Sequence, residues 1–273
     1  MELVAFDLDG TLLNRQQRLS EYTLETLRRM EAAGIYYTVA TGRTHLAAKP
    51  CLIGHEFPNV QIFKNGVEWW DPSLQSYRYK NLLQLEHITN MLQSFAEHKV
   101  TPFIFCLEED GLQRVYHAPL QGQLCDHIAN ELGNHDKMSL HPLEAMSAQA
   151  RITNISAMGR PEHVQNIVND SQDHEHLTAY SGGGIYNPDA YWLDIHHSNA
   201  CKGSALMELK AELGATNLTV FGDGDNDLSM FAMADECFAT DNGNPEVKAS
   251  ADKVIGHHDE DGVARFLRQR YDL

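Results

Sequence analysis

The sequence predicts an α/β protein, a mainly parallel sheet with helices between its strands, into which a second, α+β block is inserted. Three observations carry this expectation. Short apolar runs alternate with helix-spaced amphipathic runs at both ends of the chain, the pattern of strand–helix–strand units with right-handed crossovers. Three of the strand-like runs stop abruptly at carboxylates or small polar residues. The stretch 82–190 breaks the alternation and is long enough to bury a core of its own.

Taken in order, Leu3-Val4-Ala5-Phe6 reads as a buried strand ending at Asp7. Ser20 caps a helix whose apolar face is Leu24, Leu27 and Met30, and Gly34 stands where such a helix stops. Ile35 to Ala40 is the next strand and runs into Thr41-Gly42-Arg43; after a helical stretch, Val60 to Phe63 is another. Asn65-Gly66, between Ile62-Phe63 and Val67-Glu68-Trp69-Trp70, predicts a two-residue hairpin. In the insert, Leu85, Ile88, Leu92 and Phe95 mark a helix, and 103–105, 114–117 and 151–157 mark strands. Ser181-Gly182-Gly183-Gly184, near the end of the insert, reads as a hinge.

The return repeats the opening grammar. A helix from Gly203 to Leu213 is closed by Gly214, and the strand Leu218 to Phe221 breaks at Gly222-Asp223-Gly224-Asp225. A helix from Asn226 to Met233, a short strand at Val254-Ile255 and a final helix capped by Asp261 follow. The expected division is a discontinuous core of 1–81 and 191–273 and an inserted unit of 82–190.

Composition excludes several classes of function. The 273 residues carry 21 Lys and Arg against 38 Asp and Glu, a net charge of −17. Such a chain lacks the basic surface that tracks nucleic acid. It binds an anion only by concentrating donors or a metal ion at one point. No apolar run approaches the roughly 18 residues of a membrane span, and Glu2, Asp7 and Asp9 spoil any signal peptide. Five scattered cysteines with no CxxC read as reduced thiols of a cytoplasmic protein.

The chemistry is expected at the strand ends, because the working crevice of an open α/β sheet lies beyond the carboxyl ends of its strands. Asp7 and Asp9 are two apart and project to one side of extended chain. The parallel-sheet reading brings Asp223 to the same rim. Converging carboxylates repel one another, and a hard divalent cation such as Mg²⁺ relieves that repulsion with oxygen ligands. Taken singly, a DxD at a strand end is equally well a solvated turn, and Thr41-Gly42 a helix cap. The GDGDND run fails as a calcium loop, having Leu228 where Gly is needed and Ala234 where Glu is needed. Neither GxxxxGK[ST] nor a GxGxxG after the first strand is present. Lys202, just before a helix, adds an ammonium beside unpaired N–H groups and suits a phosphate.

Asp7-Leu8-Asp9-Gly10-Thr11, Thr41 in ATGR, Lys202 in CKG and Gly222 to Asp227 together resemble the four motifs of the haloacid dehalogenase superfamily, in order and spacing the Cof-like phosphatases. The resemblance covers about 1–81 and 191–273 and implies a Rossmann-like core with a mobile α/β cap. It implies a Mg²⁺-dependent phosphatase acting on a small phosphorylated metabolite, a sugar phosphate, nucleotide or cofactor phosphate. Asp7 is then the nucleophile that forms an aspartyl-phosphate, and Asp9 the acid and base. Mg²⁺ would be held by the Asp7 side chain, the Asp9 main-chain carbonyl and Asp223, with Asp227 supporting from outside. Thr41, the Gly42 backbone, Lys202 and Asn226 would hold the phosphoryl oxygens. A phosphomutase using the same intermediate, or a binding protein without turnover, are the alternatives.

Two positions depart from that pattern. Lys64 precedes Asn65-Gly66 where relatives carry a small hydroxyl residue, and Arg151 stands where many have Lys; each either tunes a substrate pocket or is surface charge. Trp69-Trp70 reads as cap or sheet packing ahead of the alternative, stacking on a substrate ring. His174/His176, His196-His197 and His257-His258 lack Cys or Glu at zinc-ligand spacing and read as surface or loop residues. Cys201 reads as a bystander thiol.

Overall fold

A computed structural model describes residues 1–108, 113–133, 138–183 and 189–273. The chain divides into two compact units, 1–80 with 200–273, and 81–199. The first begins with β1 (Glu2–Phe6), α1 (Glu21–Ala32), β2 (Tyr36–Val39) and the single turn α2 (His45–Ala48). An antiparallel meander of β3 (Gln61–Phe63), β4 (Glu68–Asp71) and β5 (Ser76–Tyr79) follows. Ser20 caps α1 by accepting a hydrogen bond from the Thr23 N–H at 3.0 Å, and Leu24, Leu27 and Met30 are buried.

The second unit holds α3 (Leu85–Glu97), β6 (Phe103–Leu107), β7 (Gln113–His117), α4 (Gln123–Gly133), β8 (Met138–Pro142), β9 (Arg151–Gly159), α5 (Pro161–Ser171), β10 (Leu177–Gly183) and β11 (Tyr191–His197). Its strands form one sheet in the order β10-β11-β9-β6-β7-β8, antiparallel except between β7 and β8. Ile88, Met91 and Phe95 of α3 and Val164 and Ile167 of α5 pack with Ile104, Ile155, Leu193 and Ile195 in one core. Phe103, Phe105 and Val115 pack with Cys125 of α4 in another.

The chain returns to the first unit with α6 (Lys202–Leu213), β12 (Asn217–Gly222), α7 (Leu228–Phe231), β13 (Glu236–Thr240), α8 (Pro245–Ser250), β14 (Lys253–Ile255) and α9 (Gly262–Tyr271). The sheet order is β14-β13-β12-β1-β2, all parallel, and a bridge from Ala40 to Ile62 continues it towards β3. Buried on both faces, its strands read as near-continuous apolar runs. One core holds Phe6, Leu27, Val39, Phe221 and Phe238, and the other Leu3, Ala5, Leu206, Val220 and Ala239. The alternation of side chains along β1 sends Leu3 and Ala5 one way and Val4 and Phe6 the other.

Four expectations are corrected. The strand Tyr191–His197 belongs to the second unit's sheet, so the chain re-enters the first unit at 200 and not at 191. The link after β3 is four residues long and not two, because Phe63 pairs with Glu68; Lys64 joins Asn65 and Gly66 at positive φ (47°, 51° and 109°). Ser181, Gly182 and Gly183 pair with Leu193, Trp192 and Tyr191 inside the sheet, so they make no hinge, and Gly184 lies outside the described residues. Asp261 stands at the head of α9 without capping it through its side chain; its carboxylate accepts from the hydroxyls of Ser20 (2.5 Å) and Thr23 (3.2 Å) and ties α9 to α1.

Gly203, in the first turn of α6, lies so close to α7 that a Cβ would run into the Ser229 carbonyl. Gly203→Ala is therefore expected to destabilise the protein by about 1–3 kcal/mol, the usual cost of overpacking, in urea unfolding.

Candidate active site

Parallel register sets the site. Phe6 pairs with Phe221 on one side and Val39 on the other, so Asp7, Thr41 and Asp223 follow their strands off the same edge of the sheet. After Asp7 the chain makes one wide turn, Leu8–Leu12, with Gly10 at φ +74°. Gly10 is needed twice, for that φ and because a Cβ would collide with the Asp223 carboxylate. The Thr11 hydroxyl donates to Asp223 Oδ1 at 2.7 Å. Thr240 and Asn242 hold the Gly10 carbonyl from the far side, at 3.0 and 2.7 Å.

Lys202 is 0% exposed. Its Nζ donates to Asp7 Oδ1 at 2.6 Å and to Asp227 Oδ1 at 2.7 Å. Asp227 Oδ2 accepts the main-chain N–H groups of Asp223 (2.8 Å) and Gly224 (2.9 Å). Both oxygens of Asp227 are thus committed to the lysine and to its own loop. Asp7 Oδ2 and Asp223 Oδ2 accept no hydrogen bond among the described residues and remain for a ligand.

Burial pushes the Asp7 carboxyl well above the ordinary carboxylate range; Lys202 opposes this, while Asp227, Asp223 and Asp9 add to it. Burial, with the charge of Asp227, pushes Asp223 up to about 7. Burial would lower Lys202, but Asp227 and Asp7 hold it above its usual value. Three carboxylates share one ammonium here, and ligand atoms of Asp7, Asp223 and Asp227 lie within 4.8 Å of one another. All the donors are hard oxygens, and the raised carboxyls mark a deficit of positive charge. The set fits Mg²⁺, with Asp7 and Asp223 as the side chains free to bind it.

Asp9 is held elsewhere. Arg43 grips it in a two-pronged pair, Nε to Oδ2 and an Nη to Oδ1, both 2.6 Å, and also donates to the Ala47 carbonyl and the Cys51 thiol, both at 3.2 Å. Thr41 and Gly42 sit beneath the loop after β3: Asn65 N–H donates to the Thr41 carbonyl at 3.0 Å, and Lys64 N–H to that of Arg43 at 2.9 Å. Asn226 donates to Asn65 Oδ1 at 3.1 Å, and a Cβ on Gly42 would press on this amide pair.

Thr11, Arg43 and Asn65 were not singled out in the sequence. Arg43 and Thr11 adjoin residues that were, and that adjacency was the available signal; Asn65 was read only as a turn. Lys64 is buried, which excludes the surface-charge reading, whereas Arg151 is exposed. Trp69 is packed as expected, with Lys80 Nζ 4.0 Å from its ring centre. His196 is buried on β11, against expectation. His257, His258 and Asp259 come close together, but His258 Nδ1 donates to the Leu13 carbonyl (2.7 Å) and Asp259 pairs with Arg15, which fastens the segment to the turn after β1. The Cys201 thiol caps α6 at Ser204 N–H.

Comparison with known proteins agrees with this architecture. A family model for haloacid dehalogenase-like hydrolases matches residues 4–267. The 5-amino-6-(5-phospho-D-ribitylamino)uracil phosphatase YitU of Bacillus subtilis is 27% identical over 281 residues, covering 99% of this chain and 98% of the relative. Pyridoxal phosphate phosphatase YbhA of Escherichia coli is 24% identical over 270 residues, covering 97% of each. The solved structure of a haloacid dehalogenase-like hydrolase from Bacillus subtilis superposes with a TM-score of 0.77 at 22% identity, covering 98% of this chain and 99% of that one.

Two predictions follow from the buried charges. Lys202→Met leaves Asp7 and Asp227 buried without their counter-ion and should cost about 3–5 kcal/mol at neutral pH in urea unfolding. Asp223 keeps its proton in the folded protein over the range from its ordinary 3.8 to about 7. Its contribution to metal-free stability is therefore full below that range and lost as pH rises through it. With chelator present, the stability of the native protein relative to Asp223→Asn should fall between about pH 4 and about pH 8, and Mg²⁺ should reverse that trend.

Proposed function

The chain belongs to the haloacid dehalogenase-like hydrolase family and is an enzyme of the phosphatase type; on that premise we propose that it is a Mg²⁺-dependent phosphatase of small phosphorylated metabolites, working through an aspartyl-phosphate on Asp7. The observation that carries the reading is the buried Asp7 carboxylate, fixed by Lys202 at one oxygen and open at the other, beside Asp223.

Mg²⁺, held by Asp7, Asp223 and the Asp9 main-chain carbonyl, would supply positive charge to the phosphoryl oxygens and lower the repulsion that an anion meets here. Lys202 aims the Asp7 carboxylate and faces the developing charge. Asp7 attacks phosphorus, the ester P–O bond breaks, and the leaving alkoxide takes a proton from Asp9. Water then attacks the phosphorus of the aspartyl-phosphate, Asp9 takes its proton, and phosphate departs with the Asp7 carboxylate restored. Asp9 must leave the Arg43 fork to carry a proton, and Arg43 receives the carboxylate that results. Thr41, Gly42 and Asn226, with Asn65 bracing the first and the last, hold the remaining oxygens. Residues 81–199 act as the cap that selects the leaving group.

The substrate class is an alcohol phosphate of metabolite size; phosphatases acting on a ribitylamino-uracil phosphate and on pyridoxal phosphate are both relatives. Five scattered cysteines with no CxxC suit a reducing, cytoplasmic setting.

Phosphate release from a panel of sugar, nucleotide and cofactor phosphates, with Mg²⁺ and with chelator, tests the class. Release is expected only with Mg²⁺; metal-independent release, or none from any compound, would count against the proposal. Asp7→Asn is expected to abolish release while leaving unfolding cooperative. Asp9→Asn should lower kcat by about 10²–10⁴-fold. Arg43→Lys, which keeps the charge but loses the fork, should shift the pH profile of kcat more than KM.

A further inference from the structure

A cavity of about 470 Å³ in the first unit, between the segment after α2 and the β3–β5 meander, shares no residue with the carboxylate site. That volume lies in the range of small-molecule sites. Its apolar lining includes Leu52, Phe57 and Trp70, and the Trp70 ring is backed by His45 at 4.8 Å between ring centres, so the platform is already ordered. Lys49 and Glu56 both line it and cancel in charge.

Two interior polar groups give the cavity its selectivity. Gln61 is 5% exposed; its Nε2 donates to the Phe57 carbonyl at 3.4 Å, and its Oε1 accepts no hydrogen bond among the described residues. His55 Nε2 lies 2.9 Å from the hydroxyl of Tyr37, a fully buried residue whose phenol has no other partner among the described residues. A buried phenol must spend its proton, so Tyr37 donates and the neutral His55 carries its own proton on Nδ1. Burial holds His55 below its ordinary pKa and Tyr37 above its own, which keeps this pair neutral. Beside the opposed charges of Lys49 and Glu56, the cavity thus offers an acceptor at Gln61, a donor at His55 and an apolar platform.

We infer that this cavity is a second ligand site, for an uncharged planar heterocycle with a lactam edge, whose N–H donates to Gln61 Oε1 and whose carbonyl accepts from His55 Nδ1. The ligand need not carry phosphate, so the site stands apart from the proposed hydrolysis.

Inosine and purine riboside, which differ at the lactam edge and carry no phosphate, are the probes, titrated calorimetrically into the full chain. Inosine is expected to bind saturably, with purine riboside about tenfold weaker. Gln61→Met, which keeps the shape but removes the acceptor, should weaken inosine about tenfold without moving the urea midpoint beyond that of other conservative core changes. Asp7→Asn and Lys49→Ala should leave inosine binding unchanged. The inference is overturned if inosine does not bind, if purine riboside binds equally well, if Asp7→Asn removes binding (which places the nucleoside at the carboxylates), or if Lys49→Ala removes it (which makes charge the selector). Should Gln61→Met fail to fold, the comparison of the two nucleosides on the native chain still decides. None of these readings depends on phosphate release, so failure here is distinguishable from failure of the phosphatase proposal.

Discussion

One buried ammonium holds this site together. Lys202 sits at the first position of α6 with no exposure to water, and a bare charge there is tolerable only because Asp7 and Asp227 meet it at 2.6 and 2.7 Å. The two carboxylates come from different parts of the chain, one from the end of β1 and the other from the loop after β12. Asp227 in turn fixes the N–H groups of Asp223 and Gly224, which sets where the Asp223 carboxylate stands. Gly10 and Gly203 supply the room for these approaches, one against Asp223 and the other against Ser229. Remove the lysine and the excess negative charge has nothing inside the protein to answer it.

Two carboxylates of one DxD are placed in opposite circumstances by their neighbours. Asp7 is buried, and burial raises its pKa against the pull of Lys202. Asp9 is part-exposed and gripped by a guanidinium. Such a divergence sets apart two like groups on one short segment, one held by a buried ammonium and the other by a part-exposed guanidinium. Arg43 also reaches the Cys51 thiol and the Ala47 carbonyl, so the guanidinium has two anchors besides Asp9.

Much of this was legible in the sequence because it rested on periodicity and strand ends. Asp7, Thr41 and Asp223 follow apolar runs, and a parallel sheet has only one edge at which such ends collect. Ser20 and Gly34 declared the ends of α1 by their local chemistry. The misreadings share a different cause. Tyr191–His197 has the look of a core strand, and only its partners β9 and β10 reveal that it belongs to the insert; pairing is a long-range property that a local pattern does not carry. Asp261 resembles a cap, but hydroxyls from 20 and 23, more than 230 residues earlier, claim its side chain. The Asn65-Gly66 turn was widened by one residue at each end because the ladder closes at Phe63 and Glu68. Asn65, inside that loop, meets Asn226, a contact that no spacing rule would have suggested.

The place of β1 in the sheet has a consequence for how the chain assembles. Its neighbours are β2, which follows within forty residues, and β12, which follows only after the whole 81–199 unit. As the chain emerges from the ribosome, residues 1–80 hold two of that sheet's five strands with β1 as an open edge, while 81–199 carries all six strands of its own sheet and its own cores. The 81–199 unit thus has all its pairing partners before β1 meets its second one. Throughout that interval Asp7 lacks Lys202, and the edge of β1 is open to wrong pairing until β12 arrives.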